Sequence, residues 1–236
     1  MAACAGSFDV CEYLLKQGAN VNTADFEGST PLHDACSFSF LDLIELFLKH
    51  GAQVNLQTSS EETPLFCAAQ VDNPLSVSKL ASHGADVNRP NDHGTSPLFE
   101  SAIRNYLRTT WTLLDIGASL NSIESEKFVN GIVGKNAYES IDYTQLLQLL
   151  LQAGYHVKRV WLRNIRNNTV FIQQCSSLKL LEEHASGFHS LQACCLFSIR
   201  RTIAKPISDN VKLLSIPVKL QNFILLYDFR LLEPAM

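Results

Sequence analysis

Histidine, cysteine, serine and the carboxylates carry most protein chemistry, so their spacing bears first on what this chain can do. Seven histidines, at 33, 50, 83, 93, 156, 184 and 189, form no His-Glu-x-x-His pair that would hold a metal beside a general base. The seven cysteines lack Cys-x-x-Cys and any other zinc-ligand spacing. There is no glycine-rich phosphate loop and no Gly-x-Ser-x-Gly elbow. His184 and His189 come nearest to a nucleophile pair, with Cys194, but no third group supports a triad. The expectation is a chain with no catalytic residue, no metal site and no cofactor. Its chemistry would then be recognition.

The elements that would position recognising side chains follow from a repeat. Gly18-Ala19-Asn20-Val21-Asn22 recurs as Gly51-Ala52-Gln53-Val54-Asn55, Gly84-Ala85-Asp86-Val87-Asn88 and Gly117-Ala118-Ser119-Leu120-Asn121, each 33 residues after the last. Thr30-Pro31-Leu32, Thr63-Pro64-Leu65 and Ser96-Pro97-Leu98 keep the same step. The hydroxyl residue suits a helix N-cap, and proline the first helical position, where no N–H is needed. Ala35-Cys36, Ala68-Ala69 and Ser101-Ala102 are small enough for a close helix crossing. A second helix follows, with Leu41, Ile44, Phe47 and Leu48 in one copy and Tyr106, Leu107, Trp111, Leu113 and Leu114 in another. The phrase glycines should end these helices in the left-handed conformation. One unit is thus helix, turn, helix and projecting finger.

This pattern resembles the ankyrin repeat over residues 2–121. The resemblance implies an all-α solenoid in which each unit buries its apolar face only by stacking on its neighbours. His33 keeps the family's Thr-Pro-Leu-His, whereas Phe66 and Phe99 replace the histidine and should exchange its local bond for apolar packing. Ala2 to Gly6 aligns with the middle of a first helix, so the first repeat is incomplete. The reading favoured is a piece of a longer protein, with Val10, Leu14 and neighbouring apolar residues exposed at the N-terminal edge. Tyr143 to Gly154 reads as the second helix of a degenerate fifth repeat, its glycine 37 residues after Gly117. Repeats are therefore assigned to 1–157, followed by a helical linker over 158–186.

Composition bounds the class. The chain has 236 residues, 46% apolar and 18% charged, as expected of a folded globular protein. Neither a membrane span nor a secretion signal is apparent. Cys4, Cys36 and Cys195 fall at expected packing positions, which suits reduced thiols and a cytoplasmic or nuclear location. Residues 1–154 carry net charge −10 and residues 155–236 net +6. An acidic repeat surface argues against nucleic acid as ligand. Lys158, Arg159, Arg163 and Arg166 read as a solvated helix face, or one that pairs with the acidic repeats.

Near the C-terminus, Leu191, Cys195 and Ile199 are spaced four and four, on one face of a helix. Leu214-Ser215-Ile216-Pro217 follows, then Leu220, Phe223, Ile224 and Tyr227 at helical spacing. This tail resembles a SOCS box over residues 187–232, here a three-helix module. The resemblance implies that Leu191, Cys195 and Ile199 bind Elongin C, and that Leu214, Ile216 and Pro217 select cullin-5. Ser215 departs from the proline usual at that position. With the repeats upstream, the whole chain resembles the ankyrin repeat and SOCS box family. What this implies is a non-catalytic adaptor. Elongin B, Elongin C and cullin-5 with its RING protein would assemble on the tail, while the repeats hold a target protein for ubiquitination and degradation. The competing reading is a passive ankyrin scaffold or inhibitor whose tail merely caps the array.

The target would meet the fingers Thr23–Gly28, Leu56–Glu62 and Arg89–Gly94. Phe26, Glu27, Asp92 and His93 are the candidate contacts, although Phe26 could equally pack on the adjacent finger. Asp25, Glu27, Glu61 and Glu62 point to a basic or mixed-charge partner segment.

Overall fold

The structure, a computed structural model, describes residues 2–123, 125, 127–132, 143–153 and 155. No described residue lies in a strand. A first compact unit ends at Ala118 and a second begins at Ser119.

The first unit consists of helix pairs. A turn over residues 2–6 precedes α1 (Phe8–Lys16). The pairs α2 (Pro31–Ser37) with α3 (Leu41–Lys49), α4 (Pro64–Gln70) with α5 (Pro74–Ser82), and α6 (Pro97–Ile103) with α7 (Leu107–Ile116) follow. The first helix of each pair starts as its sequence dictates. Thr30, Thr63 and Ser96 are extended caps followed by proline. The Thr63 hydroxyl accepts the Phe66 N–H at 3.2 Å and the Ser96 hydroxyl the Phe99 N–H at 3.1 Å. Phe66 is fully buried and Phe99 half-buried, so the replacement of histidine by apolar packing is complete in one copy and partial in the other.

Helix ends are closed by one left-handed residue each, in two series at the 33-residue step. Gly18, Gly51, Gly84 and Gly117 have φ of 87°, 81°, 84° and 109°. The next N–H then reaches back to a carbonyl of the final turn, as from Ala52 to Phe47 at 3.0 Å and from Ala85 to Leu80 at 3.1 Å. Between the two helices of a pair the same role falls to Ser39, Asp72 and Asn105 at φ of 60°, 54° and 62°. There Phe40 reaches Ala35 at 2.9 Å, Asn73 reaches Ala68 at 3.1 Å and Tyr106 reaches Ser101 at 2.9 Å.

The short helices stack in one row, α2 on α4 on α6, and the longer ones in a second, α1 on α3 on α5 on α7. Ala35, Cys36, Ala68, Ala69, Ser101 and Ala102 are completely buried, as close crossing requires. Around them Leu32, Ile44, Phe47, Leu65, Phe66, Val77, Leu80, Leu98 and Leu113 form the core. Each such side chain contributes about 1.5–3 kcal/mol of burial. Leu41, Leu48 and Trp111 are only half-buried. Cys4 is exposed rather than packed, because its thiol turns out to the Asp34 carboxylate at 2.9 Å.

In the second unit a single 3₁₀ turn (Leu120–Ser122) and a helical run over 127–132 precede the helix Thr144–Gln152. That helix lies within the segment read as a second repeat helix, and it buries Leu146, Leu147, Leu149 and Leu150. Phe128 and Tyr155 are buried edge to face, ring centroids 5.8 Å apart. The linker expected over 158–186 and the module expected over 187–232 lie outside the described residues. Among the described residues no helix is long and apolar enough to cross a membrane.

Candidate functional site

Each finger is built on one short oxygen-bearing side chain at the 33-residue step: Asp25, Thr58 and Asn91. Asp25 Oδ1 accepts the N–H groups of Glu27 and Ser29 at 2.9 and 2.8 Å. Asn91 Oδ1 accepts those of His93 and Thr95 at 3.1 and 2.9 Å. Thr58, with a shorter reach, takes one such bond, from Glu62 N–H at 3.2 Å. Side chains of this kind compete successfully with the backbone in turns, which explains their recurrence. Gly28, Glu61 and Gly94 then reverse the chain at φ of 76°, 58° and 70°.

The fingers are tied to one another by the backbone. Ser59 donates both its N–H (2.7 Å) and its hydroxyl (3.0 Å) to the Glu27 carbonyl. Asp92 N–H donates to the Ser60 carbonyl at 3.0 Å. Lower down, the Asn22 carboxamide accepts the Gln53 N–H at 2.8 Å and donates to the Gly51 carbonyl at 3.3 Å. Asn55 repeats this with Asp86 N–H at 2.8 Å and the Gly84 carbonyl at 3.1 Å. Successive repeats are therefore laced along this edge as well as packed through their helices.

The four residues named from sequence occupy equivalent tip positions. Phe26 and Glu27 form one tip, Asp92 and His93 another, and Ser59-Ser60 fill the same two positions between them. Phe26 is fully exposed, which rules out its packing on the adjacent finger. His93 Nδ1 lies 3.4 Å from Asp92 Oδ1, and His93 stays largely open to solvent. The tips present an aromatic ring, two carboxylates and an imidazole on a backbone-bonded ledge.

Behind the tips the surface is acidic. Glu62 is half-buried and accepts the Gln70 amide at 3.1 Å. Burial pushes its pKa above the ordinary carboxylate range, and the charges of Glu100 and Asp92 add to the effect. Gln70 opposes it by bonding the ionised form. Glu100 is held by Arg104 at 2.7 Å. Sequence reasoning found the acidic fingers but missed Gln70 and the asparagine ladder, although the 33-residue recurrence of asparagine marked the latter.

Among the described residues no group of three or more His, Cys, Asp and Glu side chains is placed to hold a metal ion. Leu191, Cys195, Ile199, Leu214, Ile216 and Pro217 lie outside the described residues.

Comparison with protein families agrees with the geometry. The family model described as ankyrin repeats (3 copies) matches residues 1–58 and 41–124, together more than half of the chain. The chain belongs to the ankyrin-repeat family, and its repeats have a protein-interaction role. Comparison with curated proteins finds no match.

Proposed function

We propose that this chain is the substrate-recognition adaptor of an Elongin B/C–cullin-5 RING ubiquitin ligase. One observation carries the reading: Leu191, Cys195 and Ile199 at helical spacing, then Leu214, Ile216 and Pro217, following an ankyrin array in the order the ankyrin repeat and SOCS box family uses. In this reading the domains are repeats over 1–157, a helical linker over 158–186 and the SOCS box over 187–232. Leu191, Cys195 and Ile199 seat on Elongin C, and Leu214, Ile216 and Pro217 meet the cullin. A target segment of basic or mixed charge lies across the tips formed by Phe26, Glu27, Asp92 and His93. The adaptor performs no bond chemistry itself. It holds the target near the ubiquitin-conjugating enzyme, so that a bimolecular encounter becomes a tethered one at high effective concentration. The complex works in the cytoplasm or nucleus.

The test is co-purification with Elongin B and Elongin C. Wild-type chain retains both, and Leu191→Ser with Cys195→Phe releases both while the repeats keep their helical circular dichroism. Retention by the double variant at the wild-type level refutes the assignment. Pro217→Ala keeps the Elongins and weakens cullin-5.

A further inference from the structure

The short helices start just behind the fingers and end at the turns that join each helix pair, so these turns form the edge opposite the fingers. Repeats stack helix beside helix. A further repeat at either end of the row would therefore leave this edge open. It nevertheless carries large apolar side chains in complete repeats. Phe38 and Val71, which close α2 and α4, are 55% and 38% exposed. Leu75, the second residue of α5, is 65% exposed.

The 33-residue step arranges the edge in two columns. One holds Phe38, Val71 and Arg104, the residues that close α2, α4 and α6. The other holds Asp42, Leu75 and Arg108, the second residues of α3, α5 and α7. Asp42 and Arg108 are both exposed. The second column thus runs from acidic through apolar to basic, and such a surface is its own complement. A two-fold axis lying across the row at the turn between α4 and α5 reverses the row and keeps each column on itself. Val71 and Leu75 then meet their own copies. Asp42 faces Arg108 and Phe38 faces Arg104, each twice. Arg104 holds Glu100 through Nε at 2.7 Å, which leaves the flat of its guanidinium for the Phe38 ring. Asp72, also at the middle of the edge, is engaged by the Thr109 hydroxyl at 2.7 Å. An axis along the row would instead set Arg104 against Arg108 and Phe38 against Asp42.

We propose that a second copy of this chain packs on the turn edge, as an antiparallel two-fold dimer. Val71 and Leu75 form its centre, flanked by Phe38–Arg104 and Asp42–Arg108 pairs. A contact made by three turns is small for a specific interface, so the dimer exchanges with monomer.

Sedimentation velocity of the full chain over a range of concentrations tests this. Wild type shows a concentration-dependent dimer. Leu75→Glu abolishes it by setting two carboxylates together at the axis, while an acid in the first turn of a helix leaves the fold intact. Asp42→Arg alone or Arg108→Asp alone raises the dimer dissociation constant by roughly tenfold, since two pairs become repulsive. Both changes place at this position a residue type that another repeat already carries there, Asp9 in α1 or Arg108 in α7, so thermal unfolding is retained. The combined swap restores the dimer. Under mild oxidation Leu75→Cys joins two chains faster than Ser78→Cys does, with wild type as the blank. A wild-type chain that stays monomeric at high concentration overturns the proposal. So does a dimer that survives Leu75→Glu, a charge swap without rescue, or equal cross-linking of the two cysteine variants.

Discussion

His33 Nε2 meets the carbonyl oxygen of Glu62 at 3.1 Å, so a side chain at the start of one repeat bonds the finger of the next. Its Nδ1 accepts the Thr30 N–H at 3.1 Å and lies 2.9 Å from the Thr30 hydroxyl. Together these contacts require the neutral tautomer protonated on Nε2. The ring is buried, and both its nitrogens are used. His33→Leu keeps the volume but leaves the buried Thr30 N–H without its acceptor and strips one of two bonds from the Glu62 carbonyl, which keeps the Thr58 N–H at 3.0 Å. It should cost about 2 kcal/mol, two buried hydrogen bonds' worth. Urea unfolding followed by circular dichroism measures it; a loss below the error of the method would show the bridge to be incidental.

The same geometry makes stability pH-dependent. Burial lowers the His33 pKa below its ordinary 6.5, with the Glu62 carbonyl partly opposing. The folded state therefore binds this proton less readily than the unfolded chain does. His33's contribution is complete above pH 6.5 and declines as pH falls below that value towards the folded pKa. Wild type should lose more melting temperature between pH 7.5 and 5.5 than His33→Gln does. Parallel curves for the two proteins would contradict the assignment.

Asn55 reaches the next repeat with both ends of its carboxamide, accepting from Asp86 N–H and donating to the Gly84 carbonyl. Because a repeat array is held by nearest-neighbour terms, this bond pair acts between repeats rather than within one. Asn55→Ala should destabilise by about 1 kcal/mol, the exposed setting keeping the loss near the lower range for two bonds. Asn55→Asp keeps the acceptor and loses the donor, and its denaturation midpoint should fall between the two.

How much of this was legible in the chain differs from residue to residue. Pro31, Pro64 and Pro97 open helices, and the phrase glycines close them, because each residue type admits few backbone states. Local constraints of this kind can be read directly. Cys4 was misplaced because the period gives a residue's position in the unit but not which neighbour covers it. Phe26 stood open between target contact and packing for the same reason: exposure depends on where the adjacent finger lies. The Glu62–Gln70 bond spans eight residues and carries no periodic mark, so spacing alone did not announce it.

Glu61 offers a stabilising change. It holds φ at 58° where the neighbouring fingers use Gly28 and Gly94. A left-handed non-glycine residue costs about 1–2 kcal/mol, partly offset by the greater flexibility glycine brings to the unfolded chain. Glu61→Gly should raise stability by about 0.5 kcal/mol. The reverse change is not equivalent. A Cβ on Gly28 would lie 3.2 Å from Thr58 Cα and 3.3 Å from the Gln57 carbonyl oxygen, so Gly28→Ala should lower stability. Opposite shifts in urea midpoint are the expected pair.

Glu62 carries a charge that its site opposes. Its carboxyl is half-buried beside Glu100 and Asp92, and its pKa is raised above the ordinary 4.5, burial being the first cause. For an acid with a raised folded pKa, the contribution is most favourable below the unfolded value and is lost as pH rises through the folded one. At neutral pH the ionised group therefore weakens the fold. Glu62→Gln can keep a hydrogen bond with Gln70 and removes the charge, so the variant should unfold at higher urea than wild type at pH 7.5. The gap should narrow as pH approaches 4.5, where wild type takes up its own proton. Salt should narrow it too at pH 7.5, because part of the penalty is repulsion across solvent-facing carboxylates. An advantage that grows on acidification would mean that Glu62 is stabilised by its surroundings, and that the acidic surface behind the fingers is not a strained one.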